Sequence, residues 1–161
     1  MQKYKKPDTK ILDVLPNPFT NSLVIHTRTM SNPTQFVHEE GILNHVTYTV
    51  ETDPVTKLYV NSDKRLHINK LSGQSSKLFL WIMYTIDSGK DYLWINKERV
   101  MLELGISSIN TYKKSIEELV LHQIIHITSV KDTYWINPAY FFKGDRSGKY
   151  SKCVVKESLK E

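Results

Sequence analysis

Apolar residues between positions 75 and 136 change their spacing several times, and each change marks an element. In "SSKLFLWIMYTIDSGK", Leu78, Trp81, Ile82 and Thr85 or Ile86 recur three and four apart. That spacing predicts a helix capped by Ser75 or Ser76 and ended by Asp87 to Gly89. "YLWI" at 92–95 predicts a short strand. Asn96 then caps "KERVMLEL", where Val100, Met101 and Leu104 form an apolar face and Gly105 supplies the turn. Ser107 or Ser108 starts a third helix, "INTYKKSIEELVLH", with Tyr112, Ile116, Leu119 and Val120 inside. "QIIHITS", a turn at "VKDT" and "YWI" predict a hairpin.

Upstream the pattern is extended. "HVTYTVE" alternates, "DPVT" is a turn and "KLYV" resumes a strand, which predicts a β-hairpin or meander over 45–72. "RLHINKL" alternates as well and can equally begin a helix. Five of the six prolines lie at or before Pro54 and none falls between Val55 and Asn137, so regular structure concentrates in that interval. Residues 1–44, with "LPNPFTNS" and "SNPTQF", read as an irregular basic arm. The expected organisation is therefore an arm (1–44), the β lead-in (45–72), a helical module (73–146) and a basic tail (147–161).

Helix, strand, helix, glycine turn, helix and hairpin in that order predict an α+β fold: a winged helix-turn-helix of three helices plus a β-wing. Gly105 takes a conformation that would strain a residue with a Cβ, and Ile106 plugs the angle between the helices. If Tyr112, Ile116 and Leu119 face inward, Ile109, Asn110, Lys113, Lys114 and Glu117 face out. Asn110 suits adenine, Lys113 or Lys114 suits guanine or a phosphate, and Ile109 or Thr111 suits a thymine methyl group. Ser108 at the helix start can donate to a phosphate, and Lys131 sits at the wing tip. Beyond the wing, Lys143, Arg146, Lys149 and Lys152 are candidates for backbone contacts. Tyr140, Phe141 and Phe142 stand too densely for base stacking alone and are expected to cover a core or a subunit contact.

Charge sharpens this picture. The net charge is +5; residues 1–10 contribute +3 and residues 143–161 another +3. Basic ends on a near-neutral body suit phosphate contacts by flexible arms, and equally suit tails that only aid solubility. From Ser75 to Phe142 seven Lys and Arg balance seven acids, so a protein-protein winged helix stands as the alternative from another class. The single cysteine, Cys153, suits a reducing cytosol. The longest apolar run, "LFLWIM", is too short to span a bilayer, and "MQKYKKPDTK" has no apolar stretch behind it. A cytoplasmic protein without membrane contact is expected.

"HQIIH", His122 to His126, comes near the zinc-protease pattern, but Gln123 stands where the general-base glutamate belongs. The β-branched "IIHIT" instead places the pair at a helix-to-strand junction. No two of the six histidines are separated by a single residue, as a rolling-circle nickase would need, and no phosphate loop is present. No enzyme activity, metal or cofactor is expected.

From "KLYV" at 57–60, through the "LGIS" turn, to "INP" and an aromatic run ending in "KGDR" at 143–146, the chain resembles the RepL-type winged-helix replication proteins of small plasmids of Firmicutes and relatives. The resemblance implies an origin-binding protein that starts plasmid or phage copying, a host polymerase doing the synthesis and other host replication proteins as partners. A winged-helix transcriptional regulator would share every one of these motifs. Helix-turn-helix proteins often bind paired half-sites, so a homodimer is expected on duplex DNA.

Overall fold

The computed structural model describes residues 5–27, 56–59 and 67–156. Its elements are β1 (Ile25–Thr27), β2 (Thr56–Leu58), α1 (Gly73–Thr85), β3 (Tyr92–Trp94), α2 (Lys97–Glu103) and α3 (Ile109–Leu121). There follow β4 (Ile125–Ile127), β5 (Thr133–Ile136), β6 (Phe141–Lys143), α4 (Arg146–Lys149) and β7 (Val154–Lys156), with short 3-10 turns at Lys10–Asp13, Pro18–Ser22 and Ser151–Cys153. The class is mixed α+β, with small antiparallel sheets beside the helices.

Local chemistry explains the helix ends. The cap of α1 is Ser72, whose Oγ accepts from the Ser75 amide at 3.3 Å, so the helix starts earlier than Ser75 or Ser76 would allow. Ser75 is instead buried inside the first turn. Asn96 caps α2 through the Arg99 amide at 2.9 Å, and Ser108 caps α3 through the Asn110 amide at 3.2 Å.

The α2–α3 turn and the end of α3 are built alike. After α2, Gly105 (φ +64°) donates to the Leu102 carbonyl and Ile106 to that of Met101. After α3, Gln123 (φ +55°) donates to Val120 and Ile124 to Leu119. Both are Schellman ends, in which a left-handed residue lets two amides fold back on the last turn. Glycine fills that position without strain in the first, while glutamine sits there at a cost of about 1 kcal/mol. Asn137 compensates: its side chain donates to the Gln123 carbonyl at 2.7 Å and its backbone amide to Ile124 at 3.0 Å.

Strands β3, β5 and β4, in that order, form an antiparallel sheet with Tyr92 opposite Trp135 and Ile125 opposite Ile136. One core runs between this sheet and the helices: Leu78, Ile82, Val100, Leu119, Ile124 and Ile136 are among its buried members. Ile106 is buried with them, as the plug at the inter-helix turn. Tyr140 and Phe141 belong to the same core, while Phe142, one step further along β6, packs with Leu23, Ile25 and Tyr150 in a second cluster. All three aromatic residues are buried, at about 2 kcal/mol each, which accounts for their density.

Little of the lead-in is described, and both ends are packed rather than free. Residues 45–55, with most of the expected hairpin, lie outside the described residues. Strand β2 pairs antiparallel with β6, Lys57 opposite Phe142, and residues 67–69 form a helical turn. The described part of the arm is not free: Leu12, Leu23 and Ile25 are buried, and β1 pairs in parallel with β7 of the expected tail.

Buried Asp91 joins the two ends. Its carboxylate accepts from Asn17 Nδ2 at 3.0 Å and from the Tyr150 hydroxyl at 2.7 Å, and pairs with Lys149 at 2.9 Å. Asn17 also donates to the Ile136 carbonyl. Burial, then the hydrogen bond to Asp91, pushes the Tyr150 hydroxyl far up, which keeps it a donor.

Candidate nucleic-acid interface

Helix α3 divides into two faces. Tyr112, Ser115, Ile116 and Leu119 are buried, whereas Asn110, Lys113, Lys114 and Glu117 are exposed. The exposed set follows the 3-and-4 spacing that puts side chains in one row. Ile109, at 38 % exposure, and half-buried Thr111 flank this row. Ser108 sits at the helix start with its oxygen already engaged as the cap. Lys131 is exposed in the β4–β5 turn, which Asp132 closes at φ +55°.

A carboxylate fixes α3 against α1. Glu118 accepts from the Ser72 amide at 2.9 Å, the Ser72 hydroxyl at 2.7 Å and the Ser75 hydroxyl. The two hydroxyls hold its pKa below the ordinary 4.5. Glu118 is thereby turned onto the first turn of α1, while Glu117 stays in the exposed row with the lysines. Between these helices lies a cleft of about 400 Å³, lined by Ser72, Gly73, Gln74, Lys77, Thr111, Lys114 and Ser115.

The cations beside α1 and α3 and those after β6 differ in their surroundings. Lys77, Lys113 and Lys114 are exposed and make no ion pair or hydrogen bond among the described residues. Lys143 and Arg146, expected on the phosphate backbone, are instead drawn inward. Lys143 donates to the Ile86 carbonyl at 3.2 Å; Arg146 donates to Pro138 at 2.9 Å and lies 3.3 Å over the Tyr59 ring. Lys149 is held by Asp91 and the Gly89 carbonyl, while Lys152 stays exposed. The expectation that Lys143, Arg146 and Lys149 lie free for phosphate is therefore corrected, because backbone carbonyls and a buried carboxylate outbid solvent for them.

Sequence patterning missed Lys77 and Gly73. Spacing places Lys77 on the outer face of its helix, but only tertiary packing sets it beside Lys114. "HQIIH" does span a helix-to-strand junction: His122 follows the last residue of α3 and His126 lies in β4. His122 packs against His67 (ring centroids 5.7 Å) and His126 meets Phe19 edge-on (6.1 Å). Among the described residues no three His, Cys, Asp or Glu gather to hold a metal, and no helix is long and apolar enough to cross a membrane.

Compared with protein-family models, with curated proteins and with solved structures, the chain matches none.

Proposed function

We propose that this chain is a winged helix-turn-helix protein that binds duplex DNA in a sequence-specific manner and starts the copying of a plasmid or phage replicon. In this reading α3 enters the major groove and the β4–β5 hairpin is the wing. The observation that carries it is the row Asn110, Lys113 and Lys114, whose side chains are exposed on α3 with no partner among the described residues while the opposite face is buried. Asn110 then reads adenine, and Lys113 and Lys114 serve guanine or phosphate. Ile109 and Thr111 flank the base contacts, and Lys131 meets the backbone from the wing. The replication role is supported by the resemblance to RepL-type proteins that "KLY", "LGIS", "INP" and "KGDR" carry. The chain acts without catalysis of its own, in the cytoplasm, as a homodimer on paired half-sites with host replication proteins as partners.

A mobility-shift assay against the DNA around the chain's own gene, across a salt series, tests the binding. The expected result is a retarded band that unrelated DNA fails to displace; no retarded band at low salt refutes the proposal. Loss of autonomous copying on deleting the gene from its replicon separates initiation from transcriptional control. A protein-binding module is the second reading, favoured by Leu80 and Tyr84, one turn apart on α1 at 49 % and 81 % exposure.

A further inference from the structure

The open cleft between α1 and α3 combines an apolar wall with exposed cations. Two lysines, Lys77 from α1 and Lys114 from α3, line it from opposite helices. Neither has an intramolecular partner among the described residues, and both are exposed, so their charges are available to the cleft. Thr111 adds a hydroxyl to the wall. Gly73 lines the cleft too: a Cβ built there meets nothing within 4 Å, so another chain's backbone can approach closely.

Gln74 lines the cleft, and its side-chain oxygen is buried without a hydrogen-bond partner among the described residues. The positive end of α1 is not what draws an anion. Glu118 takes the Ser72 amide and the Ser72 cap takes the Ser75 amide, and the Glu118 carboxylate offsets the helix end, so the lysines supply the attraction.

We infer that this cleft seats a DNA backbone phosphate, held by Lys77 and Lys114 over Gly73, and that this contact sets how deep α3 enters the groove. The inference rests on the DNA-binding function proposed above. A phosphate contact carries no base information, so the cleft contributes affinity and register while Asn110 contributes choice of sequence.

The test is binding of the full chain to a fluorescent, mixed-sequence DNA duplex, followed by anisotropy across a salt series. Lys77→Ala is expected to weaken binding about fivefold at about 0.15 M salt and to lower the log-log salt slope by about one, the effect of one lost phosphate contact. Gly73→Asp, which has open space for its side chain and suits the first turn of a helix, is expected to weaken binding at least as much without loss of helicity. Lys57→Ala, on an exposed residue of β2, is expected to leave both affinity and slope unchanged. The inference is overturned if Lys77→Ala and Gly73→Asp bind like wild type while Lys113→Ala weakens binding. No binding of wild type to any duplex at low salt overturns the DNA-binding function itself, a distinguishable result.

Discussion

The lysines of α1 and α3 and the cations after β6 carry the same formal charge and meet opposite fates. Lys77, Lys113 and Lys114 project into solvent, whereas Lys143, Arg146 and Lys149 close onto carbonyls, a ring and a buried carboxylate. Charge counted along a sequence weighs both groups equally. Only the first group is free to release counterions from a polyanion, and only the second contributes to the stability of the fold.

The largest expected effect breaks the inner group. Asp91→Ala removes the partner of Asn17, Lys149 and Tyr150 at once, leaving buried donors unsatisfied. It should lower stability by roughly 3 kcal/mol, and a thermal melt should fall by about 10 °C. DNA affinity well below the melting point should not change. An unchanged melt would mean that the corner is not held by this carboxylate.

The converse experiment addresses the outer group. Lys113→Ala with Lys114→Ala should cost about thirtyfold in duplex affinity at about 0.15 M salt and lower the salt slope by about two. The melt should shift by no more than about 0.5 kcal/mol, because neither lysine touches the core. A large loss of stability with no change in binding would reverse the roles assigned to the two groups.

Smaller effects sharpen the boundary. Arg146→Ala should cost about 1–2 kcal/mol through the lost Tyr59 stacking and leave the salt slope as it was. Glu118 supplies a pH signature. Its carboxylate is held below 4.5, so the stability it lends is complete above that value and fades as pH falls through the folded-state value. Glu118→Gln should therefore melt below wild type at neutral pH, with the gap closing in acid. A gap independent of pH would show that the charge is not what ties α3 to α1.

Much of this was legible beforehand where the signal is local. The caps Asn96 and Ser108, the Gly105 turn, the inward face of α3 and the β4–β5 turn depend on neighbours within a few residues. The outward row of Asn110, Lys113 and Lys114 follows directly from that inward face. What the pattern hides is long range. Nothing near Lys77 announces Lys114, and nothing near Asn17 announces Asp91, 74 residues away. Ser75 looked like a cap because serine at a helix start is common, yet Ser72 does the capping and Ser75 turns to Glu118.

The motifs behind the family resemblance have structural duties here. In "INP", Asn137 braces the strained end of α3. In "KGDR", Lys143 and Arg146 point inward, Asp145 caps α4 through the Gly148 amide, and Gly144 sits where a Cβ would stand 3.3 Å from the Gly89 amide. Such residues mark how the chain is clasped together, which is why they signal a fold more directly than a target.

The parallel pairing of β1 with β7 has a consequence for synthesis. Residues 25–27 leave the ribosome well before their hydrogen-bonding neighbours at 154–156, which follow only after all the intervening elements have been made. The stretch around Leu23 and Ile25 must wait, uncovered, until Phe142, Tyr150 and β7 have been made, so this corner closes later on a nascent chain than contacts between neighbouring elements do.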